Sequence, residues 1–103
     1  VNYWTATDYN KGHLPGAIQY TPKADLKLST FLKTLPTNKP IAVYCYTGQT
    51  SAQVATILKL MGYDAKTLLF GVNVLNYDFM GTNGIASQWK QTEVKEYPVV
   101  TGQ

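Results

Sequence analysis

Residues 41–50, Ile41-Ala42-Val43-Tyr44-Cys45-Tyr46-Thr47-Gly48-Gln49-Thr50, decide how this chain reads. The first five are apolar, β-branched or aromatic and follow Pro40, a pattern that predicts a short buried strand. Tyr46 to Gln49 reads as a tight loop, in which Gly48 permits a positive φ or the close approach of a ligand. Thr50-x-x-Gln53 has the form of a capping box, whose hydroxyl and amide satisfy two orphan backbone donors at a helix start. The helix so opened runs to Met61, and Gly62 stands where it ends. Gln53, Thr56 and Lys59 make one narrow polar stripe, while Ala52, Val54, Ala55, Ile57, Leu58, Leu60 and Met61 cover the rest. Such a helix is expected to be largely buried against a sheet.

Working outward, Leu28, Phe31, Leu32 and Leu35 recur at helical spacing from Asp25 onward and predict an amphipathic helix ended by Pro36. Ala17-Ile18-Gln19-Tyr20 predicts a short strand stopped by Pro22, and residues 1–10 a strand end or loop. Gly12-His13-Leu14-Pro15-Gly16 is a turn. Downstream, Thr67-Leu68-Leu69-Phe70 predicts a second buried strand and residues 71–77 a short helix. Residues 78–92 read as irregular, and Val99-Val100 as a closing edge strand. Strands alternating with helices imply parallel pairing. The fold class is therefore α/β, an open parallel sheet flanked by helices on both faces. In such sheets ligands bind beyond the carboxyl ends of the strands, and Cys45 stands at one of them.

Composition narrows the chemistry. At 103 residues, 45% hydrophobic and 15% charged, residues 1–103 are expected to form a single globular domain. No apolar run approaches the ~18–20 residues of a membrane span. A single cysteine excludes an internal disulfide and a Cys-rich zinc site, and a single histidine excludes a His-cluster metal site; no cofactor is expected. All nine basic residues are lysines, so a planar two-pronged grip on an anion is beyond this chain alone. Those lysines are scattered, the net charge is only +3, and the eight tyrosines do not interleave with a basic stripe. Nucleic acid is excluded as a partner on that pattern. No leader precedes Val1, so the chain is expected to be processed or a piece of something longer. A soluble domain of cytoplasm or periplasm is expected, and the sequence does not choose between them.

The loop after Cys45 carries the chemistry. If it curls round the sulfur, the N–H groups of Tyr46, Thr47, Gly48, Gln49 and Thr50 form an anion-binding nest, reinforced by the helix N-terminus. Such surroundings favour a nucleophilic thiolate. The plain alternative is a small core hydrophobe, which explains neither the glycine nor the cap. His13 is expected to fix its turn by bonding local backbone rather than to act as a base. Asp8 reads as a solvated surface carboxylate rather than a contact to the loop, Trp89 as core or rim packing at the pocket entrance, and Tyr46 as a residue that controls access or orients an acceptor.

Gly12-His13-Leu14-Pro15-Gly16-Ala17 resembles the G-H-[IL]-P-G-A motif of the rhodanese-like domain family. The Cys45 loop, its helix and Met61-Gly62-Tyr63 resemble that family's active-site loop, following helix and Gly-Tyr turn, and the likeness spans residues 8–72. The resemblance implies a single-domain sulfurtransferase with Cys45 catalytic and residues 46–50 binding substrate through backbone. The thiolate would take sulfane sulfur from a small donor (thiosulfate, mercaptopyruvate or a protein persulfide) and pass it to a thiol acceptor by double displacement. The alternative it carries is a non-catalytic binding or carrier module with a protein partner and little turnover. Family arginines near the second and sixth loop positions are here Tyr46 and Thr50, and the usual Asp-x-Arg is Asn2-Tyr3-Trp4. The family's opening strand and helix have no counterpart before Val1. A phosphatase loop of the form Cys-x5-Arg fails outright, because Ser51 stands where its arginine is needed.

Overall fold

Pro40 and the branched residues behind it produce the expected strand, β1 (Ile41–Val43). The computed structural model describes residues 1–102; within the helix expected after Asp25, the Phe31 and Leu32 side chains lie outside the described residues. β1 pairs in parallel with β2 (Ala65–Thr67), in the register Ile41↔Ala65, Ala42↔Lys66, Val43↔Thr67. The crossover between them contains α3 (Gln49–Leu60), the helix packed on both strands. Beyond β1, Tyr44 makes a single parallel bridge to Asn2, and Asn2 makes another to Gln19. Each is closed by paired backbone bonds, Tyr44 N–H to Val1 (2.9 Å) and Tyr3 N–H to Tyr44 (2.9 Å), then Asn2 N–H to Ile18 (2.8 Å) and Tyr20 N–H to Asn2 (2.8 Å). The described residues thus form an α/β arrangement with a two-stranded parallel sheet. The strand expected at 17–20 shrinks to one bridge because the turn at Pro15 and the proline at 22 leave no room for a ladder.

Other elements depart from expectation in instructive ways. α1 (Ala6–Lys11) replaces the loop expected near the N-terminus, with the Thr5 hydroxyl accepting from Asp8 N–H at its start. α2 (Leu28–Thr34) begins three residues after Asp25, and Leu35 buries itself just past its end. The capping box at Thr50 does not form. The N-cap of α3 lies two residues earlier, at Gly48, with φ +93° and no side-chain cap. Its buried residues are Ser51, Val54, Ala55 and Leu58, a single stripe, while Leu60 is 84% exposed. A sheet two strands wide covers one helix face only, so the largely buried helix becomes an amphipathic one.

β2 also lies earlier than expected. Leu68 N–H still reaches Val43 (2.9 Å), but the chain then turns, and Leu69 and Phe70 are exposed. α4 (Val72–Leu75) is the expected short helix, and α5 (Tyr77–Thr82) arises in the stretch read as irregular, capped by the Asn76 side chain. A 3-10 turn spans Gln91–Glu93. Val99 and Val100 form no strand and are almost fully exposed. The core gathers Tyr3, Trp4, Val43, Val54, Leu58 and Met80. Among the described residues no helix is long and apolar enough to cross a membrane.

Candidate active site

Cys45 lies two residues past the end of β1 and is 3% exposed. Its carbonyl accepts from Val72 N–H (3.2 Å) at the start of α4. The sulfur has two partners of opposite kind. Gly48 N–H donates to Sγ at 3.2 Å, and the thiol donates to Ser51 Oγ at 3.6 Å. The Ser51 hydroxyl in turn reaches the Gly48 carbonyl (3.1 Å) and the Thr67 hydroxyl (2.7 Å), tying the loop and α3 to the end of β2. Of the five loop amides expected to form a nest at residues 46–50, that of Gly48 bonds the sulfur, and among the described residues those of Tyr46, Thr47, Gln49 and Thr50 make no such bond. Gly48 is also the N-cap of a twelve-residue helix, so the sulfur sits beside the positive end of the α3 dipole.

Two glycines hold this loop in shape. The left-handed backbone at Gly48 faces the chain at Phe70, where a Cβ would come within 3.0 Å of the amide nitrogen. At Gly71, with φ +64°, a Cβ would lie 2.5 Å from the carbonyl oxygens of both Cys45 and Tyr46. No side chain fits there without moving the backbone.

Tyr46 does not face the cleft beside the loop. Its ring stacks on Trp4 (centroids 5.1 Å, 3° between planes), and its hydroxyl donates to Asp8 Oδ2 (2.8 Å) while accepting from Thr5 N–H (3.1 Å). Asp8, expected at the solvated surface, is 6% exposed. It pairs with Lys11 (3.1 Å) and accepts from Ala86 N–H (3.4 Å). Burial by itself raises the Asp8 pKa, but hydrogen bonds from Tyr46, Lys11 and Ala86, with the Lys11 charge, outweigh it and hold the carboxyl below its ordinary range. Tyr46 moves the other way, its hydroxyl made less acidic by burial and the neighbouring carboxylate. His13 behaves as its turn requires, its Nδ1 donating to the Tyr9 carbonyl (2.9 Å).

A cleft of about 410 Å³ opens beside the loop, lined by Thr47, Gly48 and Gln49 on one side and by Thr67, Phe70 and Trp89 among its other walls. Cys45, Tyr46 and Thr50 are not in its lining. Hollows of about 350 and 430 Å³ elsewhere include no residue of the 45–50 loop. The Asn73 amide, 4% exposed, links the loop to the later chain: Nδ2 donates to the Tyr46 carbonyl (2.9 Å) and the Ser87 carbonyl (2.9 Å), and Oδ1 accepts from Trp89 N–H (2.8 Å). Ser51, Thr67 and Asn73 carry no site role in the sequence reading, where Asp8 stands as a surface carboxylate and Trp89 as core or rim packing at the pocket entrance. Ser51 alone had a visible signal, as the sixth residue after the cysteine, and served there only to exclude a phosphatase.

The model of the Rhodanese-like domain family matches residues 4–78. Searches of curated proteins and of solved structures found no match. The matched stretch takes in the Gly12–Ala17 motif, β1, the Cys45 loop, α3, β2 and α4. With residues 4–78 of the 103 accounted for by that model, the chain belongs to the rhodanese-like domain family, a family of sulfurtransferase type.

Proposed function

We propose that Cys45 carries sulfane sulfur as a persulfide and passes it to a thiol or other nucleophilic acceptor. The observation that carries this reading is the Gly48 N–H at 3.2 Å from Sγ, at the N-cap of α3. A donor N–H and a helix start both favour negative charge on sulfur. In the first half-reaction the thiolate attacks the transferable sulfur of the donor, and the bond holding that sulfur breaks (S–S in thiosulfate or a persulfide, C–S in mercaptopyruvate), its electron pair leaving with the donor remnant as sulfite, thiolate or pyruvate enolate. In the second, an acceptor thiolate attacks the outer sulfur of the persulfide and Cys45 leaves as thiolate. Residues 46–50 bind the substrate sulfur through their backbone, with thiosulfate, mercaptopyruvate or a protein persulfide as candidate donors. The same reading takes the Tyr44, Asn2 and Gln19 bridges as the margin of one open parallel sheet, in a single domain.

Intact mass spectrometry tests it. Incubation with each donor is expected to add the mass of one sulfur atom, removable by a thiol and absent in Cys45→Ser. No gain with any donor overturns the reading. The 3% exposure of Cys45 favours a second one, a binding or carrier module with little turnover. It predicts tight capture of a protein partner that survives Cys45→Ser.

A further inference from the structure

We infer that the cleft beside Gly48 takes the uncharged organic group of a small persulfide, R–S–SH, and that Trp89 determines this preference; the inference rests on the sulfur-transfer reading and names its substrate class. Trp89 lies beyond the stretch matched by the family model, which ends at residue 78. It is nevertheless built into the site. Its N–H is held by Asn73, whose amide also holds the Tyr46 carbonyl of the loop (2.9 Å), and its carbonyl accepts from the Tyr77 hydroxyl (2.6 Å). Held at both ends of its backbone, the indole meets Phe70 edge to face, with centroids 6.0 Å apart. Phe70 and Trp89 are half-exposed, so this aromatic wall is available to a ligand.

The lining also includes Thr47, Gly48, Gln49 and Ala52, and no charged side chain belongs to it. A small dianion bound there would lose water with no cation to replace it. An aryl or branched alkyl group would instead bury apolar surface against two rings. A cleft of about 410 Å³ lies within the usual range for small ligands. Gly48 belongs both to the cleft wall and to the sulfur's hydrogen bond, and Cys45 is outside the lining, so a persulfide seated there must extend its outer sulfur past Gly48 to reach Sγ. The Cys45 thiolate attacks the outer sulfur of R–S–SH, the S–S bond breaks, and RS⁻ leaves with the electron pair and takes the persulfide proton. Cys45 retains the sulfur as a persulfide anion and R–SH departs, with no other oxidant or reductant consumed.

Binding and transfer are tested apart. In Cys45→Ser, benzyl mercaptan is expected to change Trp89 fluorescence saturably, and thiosulfate is not. Trp89→Phe leaves only Trp4, which is 1% exposed, and is expected to lose that signal. With the unmodified cysteine, the ratio of sulfur loading from benzyl persulfide to loading from hydrogen persulfide is expected to fall roughly tenfold in Trp89→Ala and much less in Trp89→Phe. Saturation by thiosulfate in place of benzyl mercaptan overturns the inference. So does an unchanged loading ratio, which would make Trp89 a structural residue. Saturable benzyl mercaptan binding without loading from any donor supports the apolar cleft and overturns the sulfur-transfer reading instead.

Discussion

A methyl group at position 71 would sit 2.5 Å from the carbonyl oxygens of Cys45 and Tyr46, against 3.0 Å from the nearest neighbour at position 48. Gly71→Ala is therefore expected to cost about 3 kcal/mol, and Gly48→Ala about 1–2 kcal/mol for its left-handed backbone, both read from denaturant unfolding. Asp8 offers a test by pH. Its carboxyl is more acidic folded than unfolded, so its stabilising contribution is complete above the unfolded range of about 4 and lost as pH falls through the lower folded value. Asp8→Asn is expected to flatten the acid side of the stability curve in that window and to lower stability at neutral pH. An acid limb as steep as that of the parent chain would show that the Tyr46–Asp8–Lys11 cluster adds nothing. The cysteine and the glycine of its loop were legible in sequence because each answers to a local rule. Asp8 was not, since its partners Tyr46 and Ala86 are 38 and 78 residues away in the chain.

At the scale of elements, helical periodicity located α2 and α3, and the branched run after Pro40 located β1. What periodicity could not supply was the width of the surface waiting for α3. The sequence pattern allowed nearly every face to be buried, and the sheet accepted one. Leu58→Ala is accordingly expected to cost about 2–5 kcal/mol, while Leu60→Ala stays within about 0.5 kcal/mol, as thermal or denaturant melts would read. Equal losses at the two positions would contradict the single buried stripe. α5 escaped notice because Gly81 and Asn83 look like loop residues. The Asn76 cap and the buried Met80 hold it despite them. Thr5-x-x-Asp8 did carry a readable helix start for α1, hidden among aromatic residues that suggested a strand.

Over the whole molecule, the chain beyond the family match divides in two. Residues 84–89 supply Ile85 to the core and partners to Asp8, Lys11 and Asn73. Residues 97–102 are exposed throughout. Removing residues 97–103 is expected to leave the unfolding free energy within about 0.5 kcal/mol, and removing 84–103 to lower it by about 3 kcal/mol or more. No composition rule separates these halves, because the contacts that distinguish them are made with α1 and α4. The single thiol, buried at 3% exposure beneath its own loop, has a practical result for handling. With the sulfur recessed in both partners, a covalent dimer on a non-reducing gel is expected to build up far faster in a denatured stock than in a folded one.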